Sequence, residues 1–594
     1  MPVARVAGDA LRRDELHARP IVGVARRLHG GVAGRHASAP GLRRAGQHRP
    51  GRPPGRPSRG GPVPLDAARG RLRRHGAPHG PRGPAHQTGA RRAHRRGSVT
   101  DARHPPTAQA RRGFDGLARL WTAQWVLPFA FLALCAPLGI FLAVETSPGQ
   151  IADEIGHIAK AQSVLDGQWL GRRETIDTSA GKRLQQGVDA EPGVMVVASE
   201  PSPALVTTEH WNALGAIPWG KRAFLAIGTI AGYWPGFYVP AALALGLAKA
   251  AGASPLYAFL SARVANLVVY LAMATAALAM ARRARALLFC SLSMPMALSL
   301  GASVNQDGLV IAASALGIAL LTRPRASGPS FVRREGARIG AALLLVAVAL
   351  AKPPYLPLAG LLLLPLPRLA DGSSWAGRIA LVALVAVAAV GWTWVTVHFV
   401  ATPVVRPPEM AGPLWPGPRP AEFPGTDMAA QMSVLMAKPV RFLTLPWESI
   451  RHDDFMLEEA IGVLAYLSLF LPAWLYAVWK VALVSAAAAD TVERRDDAEV
   501  LPVWQAPIPL LCALTALIAI YLAQYLSWTT VGDRHIVGPQ GRYWLPLFPA
   551  VAFALPSLWR PTALGAALTA MPLLACAADL FAVPGVVIRY FYMH

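Results

Sequence analysis

Residues 121–160 read WTAQWVLPFAFLALCAPLGIFLAVETSPGQIADEIGHIAK, and two properties of this stretch decide the fold. Trp121 to Val144 is an apolar run with no charged side chain, long enough to cross a bilayer as a helix. Asp153, Glu154 and His157 follow almost at once, which predicts ionisable chemistry at a membrane surface. Ser147 as cap, Pro148 at the first helical position and Gln150 three residues after the Ser predict a helix starting there. At 100° per residue, Ile151, Ile155, Ile158 and Leu165 form one stripe, and Asp153, Glu154, His157 and Lys160 take the other side. The expectation is a helix lying along the lipid boundary with its charged side free.

The rest of the chain agrees with a membrane reading. Of 594 residues, 53% are hydrophobic and 15% charged, which excludes an ordinary soluble enzyme of this size. Residues 1–112 hold 25 Arg, no Lys and 5 acidic residues, so this tail carries +20 of the chain's +24. It is rich in Gly, Pro and Ala, has no Phe, Trp or Tyr, and shows no periodicity, so a disordered tail is expected before a membrane domain over 113–594. Without aromatics it offers bases no stacking platform, and no nucleic-acid partner is expected. Cytoplasmic retention charge beside a span explains the Arg equally well, and a start near Val99 is an alternative reading of the same composition. No secretory signal is visible, because the first apolar run is too long and too far in. Cys135, Cys290, Cys512 and Cys576 stand apart within apolar runs, which predicts packing thiols and neither a disulfide framework nor a zinc site.

The pattern predicts an all-α, polytopic protein of about eleven spans, with a range of 10 to 13 set by the short segments. The spans are 121–144, 256–281, 286–303, 308–322, 337–351, 354–367, 378–400, 459–483, 505–526, 543–558 and 561–581. Residues 234–249 are apolar too, but contain Pro235 and Pro240. Placing them at the interface puts Arg282, Arg283, Arg285, Arg323, Arg325, Arg333, Arg334, Arg338, Arg368 and Arg378 on the side of the basic tail, as cytoplasmic positive charge requires. The outer face then receives the loops 145–255 and 401–458, the turn Asn305 to Asp307, the turn at Lys352, and 527–542.

Asp307, Lys352 and Arg542 each stand at a boundary of a span. Any one of them could be a charge snorkelling to water, but the topology brings all three to one face with Asp153 and Glu154.

An ordered series of short motifs runs through these positions: Asp153-Glu154-x-x-His157, Tyr233-Trp-Pro-x-x-Tyr238-x-Pro240, Arg263-x-x-Asn266, Met294-Pro295 through Asp307, Lys352-Pro-Pro-Tyr355, Gln431, Gly462, and Gln540-Gly541-Arg542-Tyr543-x-x-Pro546. In order and spacing it resembles the bacterial membrane family known as domain of unknown function 2142, over about residues 125–560. The family pattern Pro-x-Asp-Glu-x-x-His is altered here, with Ile151 and Ala152 before the acids and the Pro further back at Pro148. The layout is similar to the GT-C superfamily of multi-spanning glycosyltransferases. That resemblance implies a polyprenyl-phosphate sugar as donor, a glycan or lipid acceptor outside the cytoplasm, Asp153 or Glu154 at the active site, and Asp307 as the acid of the second outer loop.

The chemistry can also be argued from residue types. Sugar transfer from a lipid phosphate needs a carboxylate to take the acceptor proton, and Asp153, Glu154, His157 and Asp307 are the catalytic candidates. It needs cations on the departing phosphate, for which Arg263, Lys352 and Arg542 are candidates. Tyr233, Trp234, Tyr238, Tyr543 and Trp211 are candidates for stacking on a sugar, or for anchoring at the lipid interface. Asp153, Glu154 and His157 could instead share a divalent metal, and the sequence specifies no other cofactor. His535, beside Asp533 and Arg534, reads as a solvated loop residue. Two readings of another class stay open: a transporter or flippase of lipid-linked glycans, and a noncatalytic membrane scaffold presenting the Pro-rich loop near Trp415. Few charges at span centres and no internal repeat favour an enzyme over a transporter. The expected location is the plasma membrane, with the amino terminus cytoplasmic and the active face outside.

Overall fold

The computed structural model describes residues 125–178, 181–199, 205–323, 331–364, 375–403, 426–452, 456–463, 471–492, 506–555 and 563–593. The basic tail 1–112, the Pro-rich segment with Trp415, and Arg325 and Arg368 lie outside the described residues.

Six helices are long and apolar enough to cross a membrane: Val126–Glu145, Pro255–Met280, Trp375–Phe399, Ala473–Val492, Pro507–Ser527 and Leu564–Tyr592. Twenty residues rise about 30 Å, the thickness of a bilayer core. We label them α1, α6, α11, α15, α16 and α18, the last beginning at Ala563. Trp375, Ile379, Val387, Val390 and Trp394 leave α11 with an exposed apolar flank, as suits a helix facing lipid.

The other expected spans take less regular forms. The stretch 286–303 breaks into α7 (Arg285–Ser293) and α8 (Pro295–Gly301), because Pro295 cannot donate to the ladder and pushes Met294 to ψ 141°. The stretch 354–367 winds as a 3-10 helix, Pro353–Leu363, with Pro353, Pro354 and Pro357 barring a regular α-helix. Helix α9 is Asp307–Leu321, α10 is Phe331–Ala351, and a 3-10 turn Gly541–Leu547 leads into α17 (Phe548–Ala554). The expected span 459–483 divides between α14 (Met456–Ile461) and α15, which starts 14 residues later than the sequence suggested.

Contacts identify two ends of the helical body. At one end, Arg282 N donates to Thr322 Oγ1 (2.8 Å), Arg283 Nη2 to Leu555 O (2.7 Å), and the amides of Ala286 and Leu287 to Asp490. At the other, Tyr592 Oη meets Glu145 O (3.0 Å), Lys352 meets Asp307, and Arg542 meets Asp153. The acids and the Arg282 to Arg285 cluster therefore occupy opposite ends.

The loop 145–255 is more structured than an all-helical reading anticipates. Besides α2 (Glu154–Leu165), α3 (Gly193–Ser199), α4 (Thr208–Gly215) and α5 (Val239–Ala250), it holds an antiparallel sheet of β1 (Arg172–Thr178), β2 (Gly181–Ala190) and β3 (Ala223–Ala226), in that order. The register pairs Arg172 with Gly187 and Val188 with Leu225. β1 and the start of β2 are almost wholly charged or polar, with Ile176 and Leu184 as isolated apolar residues, so the period-2 signal is absent. Helix α5, within the Pro-containing 234–249 stretch, has only 12 residues and leaves Val239, Leu243 and Leu247 exposed. It is too short to span.

Helix α2 corrects the sequence reading in two respects. It begins at Glu154, not at Pro148, because Asp153 sits in the left-handed region at φ 62°. Residues 146–153 instead fold back as a loop, where Gly149 (φ +74°) lies so close to Ala198 O that a Cβ would stand 1.8 Å away. The charged side is also not free: Glu154, His157 and Lys160 are buried, as are Ile151 and Ile158. The sheet, the 3-10 turn Gly228–Gly232 and α5 enclose a helix that composition alone placed at a lipid surface.

The four cysteines are free and buried, with Cys135 Sγ 3.7 Å from Cys576 Sγ.

Candidate functional site

Four charged side chains from distant parts of the chain meet where the start of α2, the start of α9, the end of α10 and the Gly541–Leu547 turn come together. Arg542 Nη2 donates to Asp153 Oδ2 (2.6 Å), Arg542 Nε lies 3.4 Å from Asp307 Oδ2, and Lys352 Nζ reaches Asp307 Oδ1 (2.5 Å). The Tyr543 ring backs both cations, 4.3 Å from Lys352 Nζ and 5.2 Å from the Arg542 guanidinium carbon. Tyr355 fixes that turn by donating to Tyr543 O (2.9 Å).

Local structure explains each position. Asp307 opens α9, where its carboxylate favours the positive helix start. Its amide donates to Asn305 Oδ1 (2.8 Å), and Asn305 Nδ2 donates to Ala152 O (2.9 Å), so one side chain ties the Asp153 loop to the Asp307 turn. Lys352 follows the last turn of α10, and Pro353 prevents the helix from continuing past it. Gly541 lets Arg542 approach: a Cβ there would stand 2.1 Å from Met456 O, and its amide donates to Glu459 Oε2 (2.8 Å). Asn305, Tyr355 and Glu459 are contributors that sequence reasoning did not single out, although the first two lie inside its motifs.

Exposure separates the members of the site. The Asp153 side chain is 49% exposed and Lys352 17%, whereas Asp307 is 7% and Arg542 2%. Burial pushes the Asp153 carboxyl up, but Arg542 and then His157 outweigh it, and the net effect holds Asp153 below the ordinary carboxylate range. Asp153 is therefore an accessible, ionised carboxylate at neutral pH. Arg542 keeps Nε and Nη1 buried without a hydrogen-bond partner, and Gln306, beside Asp307, keeps both ends of its amide unpartnered. Buried polar groups are nearly always bonded, so unspent donors beside the half-exposed Asp153 mark a place for a ligand.

His157 and the aromatics form the adjoining wall. His157 Nδ1 is 2.6 Å from Tyr238 Oη, with the two rings near parallel, and Tyr233 stands 5.9 Å from the imidazole. Burial pushes the His157 pKa down to about 4, against the pull of Asp153 and Asp307, so the ring is neutral at pH 7. Burial also raises the phenols of Tyr233 and Tyr238, which remain protonated. Tyr238 is fully buried and presents no face to a sugar.

Glu154 and Arg263 are brought together elsewhere. Both side chains are 0% exposed. Arg263 Nε donates to Glu154 Oε1 (2.8 Å) and Nη2 to Oε2 (2.6 Å), and its other N–H groups go to the carbonyls of Ala143, Thr146 and Ser147. Glu154 also accepts from the amides of Val304 and Gly149. All five donors of the guanidinium are used, leaving none for a phosphate. Gln431 is similarly occupied, bonding Tyr525, Thr529, Thr530 and Gly532. His535 is exposed in its loop.

Among the described residues, no three His, Cys, Asp or Glu side chains are grouped so as to hold a metal ion. Asp153 and Asp307 are met by cations instead.

Comparison with known proteins gives one family match. No curated protein and no solved structure matches the chain. Residues 101–551 match the family described as predicted membrane protein (DUF2142), a span that takes in the whole charged quartet, and the chain belongs to that family of membrane proteins.

Proposed function

We propose that the chain is a membrane glycosyltransferase-like enzyme, moving a sugar from a polyprenyl-phosphate donor to a glycan or lipid acceptor at the outer face of the plasma membrane. The observation that carries this reading is the quartet Asp153, Asp307, Lys352 and Arg542, with two buried nitrogens of Arg542, Nε and Nη1, lacking a hydrogen bond. Transfer needs a base for the acceptor hydroxyl and cations for the leaving phosphate, and the quartet supplies both at one point.

The steps balance in charge. Two carboxylates and two cations sum to zero, so a phosphate can compete for Arg542 only when a carboxylate yields. Asp153, half exposed and held by one ion pair, is the member able to yield. As the acceptor oxygen bonds the anomeric carbon, its proton passes to Asp153, and the bond from that carbon to the phosphate oxygen breaks. Asp153 becomes neutral as the phosphate gains a negative charge, and Arg542 transfers its attraction from one to the other. Lys352 and Asp307 stay paired, keeping a second cation near the phosphate. Glu154 and Arg263 serve to hold the 146–153 loop.

On this reading the body crosses the membrane eleven times and the acids face away from the cytoplasm. The positive charge at Arg282 to Arg285, at the opposite end, supports that orientation.

The test is a transfer assay on purified protein in nanodiscs with a panel of labelled polyprenyl-phosphate sugars. Asp153→Asn should abolish product, a loss of at least about a hundredfold for a general base, while labelled donor still binds. Unchanged turnover in Asp153→Asn would remove the base from the scheme. Labelled lipid crossing the bilayer, with no product formed, would identify a transporter.

A further inference from the structure

The imidazole of His157 can hold its proton on either nitrogen, and its surroundings choose between them. Tyr238 Oη is fully buried and meets nothing but His157 Nδ1 among the described residues. If Nδ1 carried the proton, the tyrosine oxygen would accept it and the tyrosine O–H would be left buried with no acceptor. A buried donor left without an acceptor is strongly disfavoured. If instead the tyrosine donates, Nδ1 is the acceptor, every group in the contact is used, and the proton lies on Nε2.

Charges of both signs surround the ring. The ionisable groups acting on His157 are Asp153, Asp307, Arg542 and Lys352, with Tyr233 and Tyr238 as ring neighbours. The two carboxylates favour a proton on the ring and the two cations oppose it, so the contact with Tyr238 is what selects the nitrogen. Burial keeps the ring from taking a second proton at neutral pH.

We infer that His157 is a hydrogen-bond donor through Nε2–H to an oxygen of the bound substrate, with Tyr238 as the positioning residue that fixes its tautomer. This rests on the sugar-phosphate reading of the site and deepens it. The side chain that looks like a general base, or a metal ligand, grips an oxygen and leaves proton abstraction to Asp153. A donor of this kind stabilises charge growing on a sugar or phosphate oxygen and is needed in one orientation only.

Nitrogen-15 NMR of histidine-labelled protein in nanodiscs, with His157→Gln to assign the signal, reads the tautomer directly. At pH 7 the full chain should show a protonated Nε2 and a bare Nδ1, and Tyr238→Phe should give a mixture of both tautomers. A protonated Nδ1 in the unmodified protein, or an imidazolium at pH 7, overturns the inference, and this arm needs no turnover. In the transfer assay, His157→Ala should lose on the order of a hundredfold in rate. His157→Gln, which can place an N–H near Nε2, should recover at least tenfold of that loss. Equal rates for the Gln and Ala variants would refute the donor role. Absence of transfer by any form, with the Nε2–H tautomer present, would refute the enzyme reading and leave the tautomer standing.

Discussion

Replacing Glu154 with Gln tests whether the buried Arg263 pair is scaffold or chemistry. The substitution keeps the volume and removes the charge. In the native protein the Arg263 fork rests on both Glu154 oxygens, at 2.8 and 2.6 Å, in a place fully closed to water. Glutamine offers one acceptor to that fork and turns an N–H₂ towards the other N–H group, so Arg263 becomes a buried cation without a counter-charge. Removing one partner of such a pair costs roughly 3–5 kcal/mol. At about 1.4 kcal/mol per tenfold, the folding constant should fall roughly a hundredfold to a few thousandfold. The assay is equilibrium unfolding in mixed micelles with a denaturing detergent, followed by tryptophan fluorescence, alongside turnover per folded molecule. The expected result is a large loss of stability, with turnover per folded molecule kept within a few-fold under mild conditions. A variant as stable as the native protein to within about 1 kcal/mol, yet inactive, would refute the reasoning and return Glu154 to the reaction.

Gly541→Ala should impair the site without touching a charge. Its Cβ would meet backbone at Met456 and Ala460, and overpacking of this kind costs about 1–3 kcal/mol, so the turn must shift and Arg542 with it; native activity and stability would show that the close approach is unnecessary. Lys160 gives a pH dependence. Its Nζ is buried against the carbonyls of Trp169 and Ala231, and burial lowers its pKa from 10.5 to about 7. Between those values the unfolded chain binds the extra proton, so stability should rise as pH increases from about 7 towards 10.5. Lys160→Met should flatten that rise, and unfolding curves across the range that match the native slope would count against it.

Much of the membrane architecture was legible because apolar length has one dominant physical cause. Trp121 to Val144 was readable from hydropathy alone, and α1 covers Val126–Glu145. The meeting of Asp153, Asp307, Lys352 and Arg542 was approachable through topology, since each follows or precedes an apolar run and the runs alternate in direction. The fate of adjacent acids was not legible. Asp153 and Glu154 differ by one methylene and share a motif, yet one is half exposed on Arg542 and the other is sealed on Arg263. The difference comes from a left-handed residue at 153, which starts the helix at Glu154 instead of Pro148 and sends the two side chains apart. An aspartate tolerates that conformation better than most residues, but nothing local announces it. The sheet was hidden for a related reason, because strands covered with polar residues on both faces carry no period-2 hydrophobic signal.

The two acid pairs divide the work of the site between them. Arg263 is bonded on every donor and connects α6 to the end of α1, the 146–153 loop and the start of α2, so it makes that corner rigid. Arg542 is nearly as buried, but its Nη1 has no partner and its Nε meets Asp307 only as an ion pair at 3.4 Å without a hydrogen bond, which is unfavourable unless something supplies acceptors. The fold tolerates the deficit because the surrounding corner cannot relax: Asn305 ties the two acidic turns together, Tyr355 and Tyr543 brace the cation, and Gly541 leaves no space for retreat. Donors held in place before the ligand arrives need no reorganisation when negative charge appears. A fully satisfied Arg542 would make a more stable protein and a poorer site. The contrast between the two arginines is the strongest structural reason for looking to Arg542, and not to Arg263, as the group that would hold the phosphate of the proposed donor.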